Sequence, residues 1–301
     1  MAAPKMIAVF GAANDQGSTV ARCLLKDPQY KVRAITQDIS QAQELANLGA
    51  QVVTANLKDR SSIKDALKDV HGCFVVTSTD FSSPDPEEDE YRLGENIADV
   101  CMILKIQHVV FSTTPGVRDV TGGKARHWDS KARIYTFMKE RDLPLTGVML
   151  PFAYNQLLTN KHAFQKVKEH AFKLCLPMGD VSLNMLDMGD LGKAVHYIFN
   201  HQDECMNKTF NLVGDKRTIK EMADILSTEL RPYAFEDARM IFSQMKALNF
   251  PGSEDMANMF EYIQRGDLRF NLDTTRRMVP DVMDFTSWVK ANKEALIAAL
   301  K

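Results

Sequence analysis

Hydrophobic positions in the first half of the chain switch repeatedly between two spacings. Short β-rich runs lie at Met6–Phe10, Lys31–Thr36, Gln51–Thr54, Cys73–Thr77, His108–Ser112 and Leu145–Leu150. Between them, apolar residues recur at helical spacing over Gln16–Lys26, Gln41–Leu48, Ser62–Lys68, Glu87–Lys105 and Lys131–Arg141. Strand followed by helix, repeated in this way, predicts a doubly wound α/β fold with a parallel sheet between two layers of helices. Runs such as Met6-Ile7-Ala8-Val9-Phe10 are apolar at every position, as strands buried on both faces require.

The second half reads differently. Leu183–Asn200 predicts a helix introduced by Gly179-Asp180, and Thr209–Val213 predicts a strand returning to the sheet. Thr218 and Glu221 have the spacing of a capping box, opening a helix that runs through Leu230. Beyond Arg231-Pro232 the pattern is helical over Glu236–Leu248, Asp255–Ile263 and Phe285–Ala299, broken by Pro251-Gly252 and Pro280. The expected organisation is a first domain over 1–152 and a smaller, mostly helical C-terminal lobe over 153–301. The acidic stretch Ser82–Glu90 reads as a solvated loop leading into a helix whose N-terminal end favours carboxylates.

Composition narrows the function classes. With 45% hydrophobic and 25% charged residues in 301, the chain has globular rather than disordered usage. A net charge of −2 leaves no basic footprint for direct contact with nucleic acid or anionic membrane. No run approaches the roughly 20 apolar residues of a membrane span, and the apolar run after Lys5 is too short for a signal segment. A soluble protein of the cytoplasm, and also of the nucleus, is expected. The five cysteines form no CxxC pair, which suits reduced thiols. Cys73 and Cys101 fall on apolar stripes as buried bystanders. The histidines show no metal-ligand spacing, so no metal is expected.

The first candidate for chemistry is the turn from strand one into helix one, Gly11-Ala12-Ala13-Asn14-Asp15-Gln16-Gly17. In a Rossmann-type turn the first glycine permits the bend and the last lets helix pack on strand. The helix head then offers free N–H groups to a diphosphate. Here Asn14 replaces the middle glycine. Asparagine is the best non-glycine choice for a left-handed backbone, but its side chain takes up space beside the anion. The same turn also serves a fold that binds nothing. Near the end of strand two, where selectivity is read, Gln37 and Asp38 stand without a cation suited to a 2′-phosphate.

GAANDQG, VVTSTD, HVVFS, HWDSK, LPFAYNQLL, LPMGD and FPGSEDMANMF together resemble the NmrA-like family, an atypical branch of the short-chain dehydrogenase/reductase superfamily. The resemblance runs nearly end to end. It implies an NADP(H) site, with NAD(H) not excluded. The phosphate loop would be Gly11 to Gly17, with the 2′-phosphate at Gln37 and adenine near Ala55 and Asn56. Thr77, Ser78 and Thr79 would lie along the ribose and pyrophosphate, and Arg92 would reach the cofactor. Lys131 would stand near the nicotinamide ribose, with Ala153, Tyr154, Asn155 and Gln156 beside the nicotinamide. The family pattern carries a glycine at Asn14, an arginine at Gln37, basic residues around Ser40-Gln41, and Glu-Asn at Asn155-Gln156. The resemblance further implies homodimerisation and protein partners that meet the chain near Pro151–Asp187.

Reductases of the superfamily use a tyrosine acid, a lysine four residues later and a serine at the substrate carbonyl. This chain has Ser112 and Lys131, but His127 at the tyrosine position. Histidine can donate a proton near neutral pH. The alternative leaves Lys131 as a ribose ligand, Ser112 as a strand end and His127 on a helix start. Two functions follow. One is a non-catalytic redox-sensing regulator of transcription that acts through protein partners from a weakened cofactor site. The other is an NAD(P)H-dependent reductase of quinones or other small carbonyl compounds.

Overall fold

The computed structural model describes residues 3–266 and 269–300. The chain forms two compact units, and the division does not fall at one point in the sequence. The first comprises residues 1–116, 126–149 and 188–210; the second comprises 117–125, 150–187 and 211–301. Met188–Phe210 therefore belongs with the first unit although it lies beyond residue 152.

The strands of the first unit are β1 (Lys5–Val9), β2 (Tyr30–Thr36), β3 (Gln51–Thr54), β4 (Gly72–Val75), β5 (His108–Thr113), β6 (Leu145–Met149) and β7 (Thr209–Asn211). They order as β7-β6-β5-β4-β1-β2-β3, and β1 to β6 pair in parallel. This is the Rossmann-type order, with β1 between the two directions of winding. The helices are α1 (Asp15–Leu24), α2 (Gln43–Asn47), α3 (Arg60–Ala66), α4 (Pro86–Ile103), α5 (Arg126–Glu140) and α6 (Met188–Asn200). The strand expected at 209–213 does return to this sheet, as β7 beside β6.

The core of this unit is the apolar set that the pattern marks: Ala8, Phe10, Val75, Phe111, Ile97 and Ile134 among others, all sealed from solvent. Cys73 and Cys101 are in it, their sulfurs 3.8 Å apart. Helices α4 and α5 approach closely at Gly94, where a Cβ would lie 2.5 Å from three side-chain atoms of Ile134. Helix α6 packs along α1, and His196 Nε2 lies 2.7 Å from Asp27 Oδ2 just past the end of α1.

The second unit is richer in strand than the pattern suggests. Leu183–Leu186 is a strand, paired with Phe152–Ala153 and Asp215–Arg217, and the helix expected from Leu183 begins only at Met188. Ala234–Asp237 is likewise a strand, running parallel to Ala171–Leu174, which pairs in turn with Phe164–Lys168. The helix expected from Glu236 begins at Phe242. In both places pairing with a distant segment overrides a short ambiguous apolar run. The capping box is present: Thr218 Oγ1 accepts from Glu221 N, and Glu221 Oε2 accepts from Thr218 N at 2.8 Å. The C-terminal helical stretch divides at Asn292 into Phe285–Ala291 and Lys293–Ala299. Among the described residues no helix is long and apolar enough to cross a membrane, and no group of three or more His, Cys, Asp or Glu is placed to hold a metal.

Candidate functional site

The loop after β1 hangs between its two neighbouring strands. Phe10 N donates to Phe74 O at 2.9 Å on one side, and Ala12 N donates to Ile35 O at 3.2 Å on the other. Gly11 has φ +63°, the left-handed conformation that a side chain resists. A Cβ on Gly17 would collide with the carbonyl of Gly11, so both glycines are required by shape.

Asn14 does not supply the left-handed residue. Its backbone is extended (φ −99°, ψ 168°) and it caps α1, its Oδ1 accepting from Gly17 N at 2.9 Å. Its carboxamide therefore takes one of the helix-head N–H groups that such a loop offers to an anion. Asp15 opens the helix beside it, and Gln16 Oε1 accepts from Ser112 Oγ at 2.7 Å.

Two hollows lie along the C-terminal strand edge. One, of ≈ 280 Å³, is lined by Gly11, Ala13, Asn14, Gln37, Ala55, Thr77 and Ser78. The other, of ≈ 820 Å³, shares Gln37, Ala55 and Ser78 and adds Asn56, Lys58, Thr79, Asp80, Asp89 and Glu90. Most of the expected adenine, ribose and phosphate residues are thus brought together. Gln37 faces both hollows with no charge to offer. Asp38 is a cap, its Oδ1 accepting from Ser40 N at 2.9 Å. Arg92 is placed elsewhere: it lines a third hollow with Glu95 and Asn96 and pairs with Glu88 at 3.2 Å, its side chain 68% exposed.

Glu90 lines the larger hollow, and the pattern did not single it out. It is no part of a solvated loop: its side chain is fully buried and accepts from four groups. These are Thr77 Oγ1 at 2.5 Å, Thr79 Oγ1, Ser130 Oγ at 2.6 Å and Lys131 Nζ at 2.5 Å. Burial pushes its carboxyl up, but the Lys131 ammonium and these hydrogen bonds more than offset that and hold it below the usual carboxylate range. The signal for Glu90 was its place on the apolar stripe of α4, four residues before Gly94 and on the face of Ile97 and Cys101.

Ser112, His127 and Lys131 lie on β5 and at the start of α5. The Lys131 ammonium is held by Glu90 and by the main-chain oxygen of His127 at 3.1 Å. The Ser112 hydroxyl is turned to Gln16, and the His127 ring sits edge-on to Phe81 at 5.8 Å. The hydroxyl and the ammonium are each tied to a partner other than the imidazole. In the second unit, Ala153 ends the strand Phe152–Ala153 and Gln156 opens the helix Gln156–Thr159 after its N-cap Asn155. Tyr154 is buried there, donating to Met283 O at 3.1 Å and packed on Phe285 and Trp288.

The sequence profile of the NmrA-like family matches residues 3–287. The chain belongs to the NmrA-like family. One family member, the oxidoreductase FrzB of a Cladobotryum species, is 35% identical over 282 residues, covering 86% of this chain and 84% of that protein. Another, the oxidoreductase hkm9 of Aspergillus hancockii, is 38% identical over 128 residues, which span 42% of this chain but only 38% of hkm9. Among solved structures, the negative transcriptional regulator NmrA in complex with NADP superposes with a TM-score of 0.80 at 18% identity, covering 98% of each chain. The triphenylmethane reductase of Citrobacter sp. complexed with NADP(H) gives 0.79 at 17%, covering 95% of this chain and 99% of that one. At such identities these two likenesses speak for the fold alone.

Proposed function

We propose that this NmrA-like protein is a nucleotide-linked regulator, which binds NADP(H), with NAD(H) as a competing ligand, and acts through protein partners without turning over a substrate. The observation that carries the reading is the loop at residues 11–17. Its two glycines are forced by geometry, and it delivers a helix head to the edge of a polar cleft. A diphosphate fits at Gly11–Gly17, with the adenosine half against Gln37, Ala55 and Asn56. A bound nicotinamide would supply hydride chemistry, whereas a sensor needs only different affinities in its two conformations.

The same residues argue for a weakened site. Asn14 already occupies one helix-head donor, and a 2′-phosphate would face neutral Gln37. One missing charge-assisted hydrogen bond is worth about 1.5–3 kcal/mol, roughly 10- to 150-fold in affinity. We place the protein partners along residues 151–187, two copies in a homodimer, and the site of action in cytoplasm and nucleus as a regulator of transcription.

A reductase of quinones or other small carbonyl compounds is the second reading, favoured by relatives named oxidoreductases and by Lys131, which pairs with Glu90 of the cleft. Calorimetric titration with NADPH, NADP, NADH and NAD, followed by NADPH consumption with a quinone panel, separates the two. Binding without consumption is expected. Consumption abolished by Lys131→Ala would establish the reductase, and absence of binding by all of these nucleotides would sink both readings.

A further inference from the structure

Glu90 sets the polarity of one wall of the cleft. An ionised carboxylate only accepts hydrogen bonds, so the protons of Thr77, Thr79, Ser130 and Lys131 all point at it. Having directed their protons inward, the hydroxyls of Thr77 and Thr79 have only lone pairs left for a ligand. Lys131 carries three N–H groups. One goes to Glu90 and a second to the main-chain oxygen of His127, which leaves one. A wall that shows a single N–H beside hydroxyl acceptors matches a vicinal diol, whose hydroxyls donate and accept at once.

The helices hold this arrangement in register. Gly94 of α4 faces Ile134 of α5, and one turn earlier on both helices Glu90 meets Ser130 and Lys131. A diphosphate at the head of α1 sends one nucleoside toward β2 and β3 and the other toward β4 and β5. Thr77 and Thr79 follow β4, and Ser130 and Lys131 lie on the helix after β5, so the cluster reaches the second side, while Thr79 and Glu90 also line the hollow of Gln37 and Asn56.

We propose that Glu90 is the positioning residue for the ribose on the β4–β5 side, aiming the free N–H of Lys131 and turning Thr77 and Thr79 into acceptors. The proposal rests on the nucleotide reading above. Its test is calorimetric binding of two ligands, NADPH and adenosine 2′,5′-bisphosphate, which has the adenosine half but no second ribose. Glu90→Gln should weaken NADPH about tenfold or more and leave the bisphosphate within about twofold. In a Lys131→Met background, Glu90→Gln should weaken NADPH less than it does in the wild type, because only the part of its effect that runs through Thr77 and Thr79 remains. Should Glu90→Gln fail to fold, Glu90→Asp, which keeps the charge, should give a smaller loss confined to NADPH. Unchanged NADPH affinity, or equal loss for both ligands, overturns the proposal while the nucleotide reading stands. A wild-type protein that binds neither ligand overturns both.

Discussion

His108 opens β5 with its ring fully buried, edge-on to Phe199 at 5.3 Å. Thr146 gives its own proton to Cys205 O at 2.9 Å, so His108 Nε2 is the donor in its 2.8 Å contact with Thr146 Oγ1. Burial first, then the charges of His71 and Lys5, push the imidazole pKa down to about 4. A folded pKa below the unfolded value of about 6.5 gives stability that is complete above pH 6.5 and is lost as the pH falls toward 4. The size is up to about 3 kcal/mol over that window. Denaturant unfolding between pH 7 and 4.5 should therefore show a loss that His108→Gln largely removes. At this scale the sequence exposes residues whose role is local. Gly11 and Gly17 follow from the bend they make, and Cys73 and Cys101 follow from their apolar surroundings. Asn14 and Glu90 depend on a partner that folding brings to them, so their roles as a cap and as a buried acceptor become legible only in three dimensions.

Helix α4 illustrates how one contact fixes a whole element. Adding a methyl group at Gly94 drives it into Ile134 at 2.5 Å. Overpacking typically costs about 1–3 kcal/mol, and the gain in helix propensity returns up to about 1. Gly94→Ala should thus destabilise by about 1–2 kcal/mol in thermal or denaturant unfolding, and Ile134→Val in the same chain should recover part of it. The parallel strands and the helices between them were legible because their hydrophobic spacing is long and repeated. Leu183–Leu186 and Ala234–Asp237 were not. Each is four residues long, and its strand character comes from partners many residues away.

The molecule as a whole is partitioned in space more cleanly than along the chain. Helix α6 and most of strand β7 come from residues 188–210 and complete the unit that starts the chain. A fragment of residues 1–152 leaves the face of α1 open and β6 without its neighbour. It should fail to show a cooperative unfolding transition by circular dichroism, whereas the full chain should show one. Cooperative unfolding of the fragment would contradict the place given to α6. Because the anion loop leads straight into α1, its rigidity depends on a helix made much later. At about 5–20 residues per second, a ribosome reaches the end of α6 on the order of ten to a few tens of seconds after releasing α1. Throughout that interval the nascent segment presents an uncovered apolar flank, the kind of surface that chaperones shield.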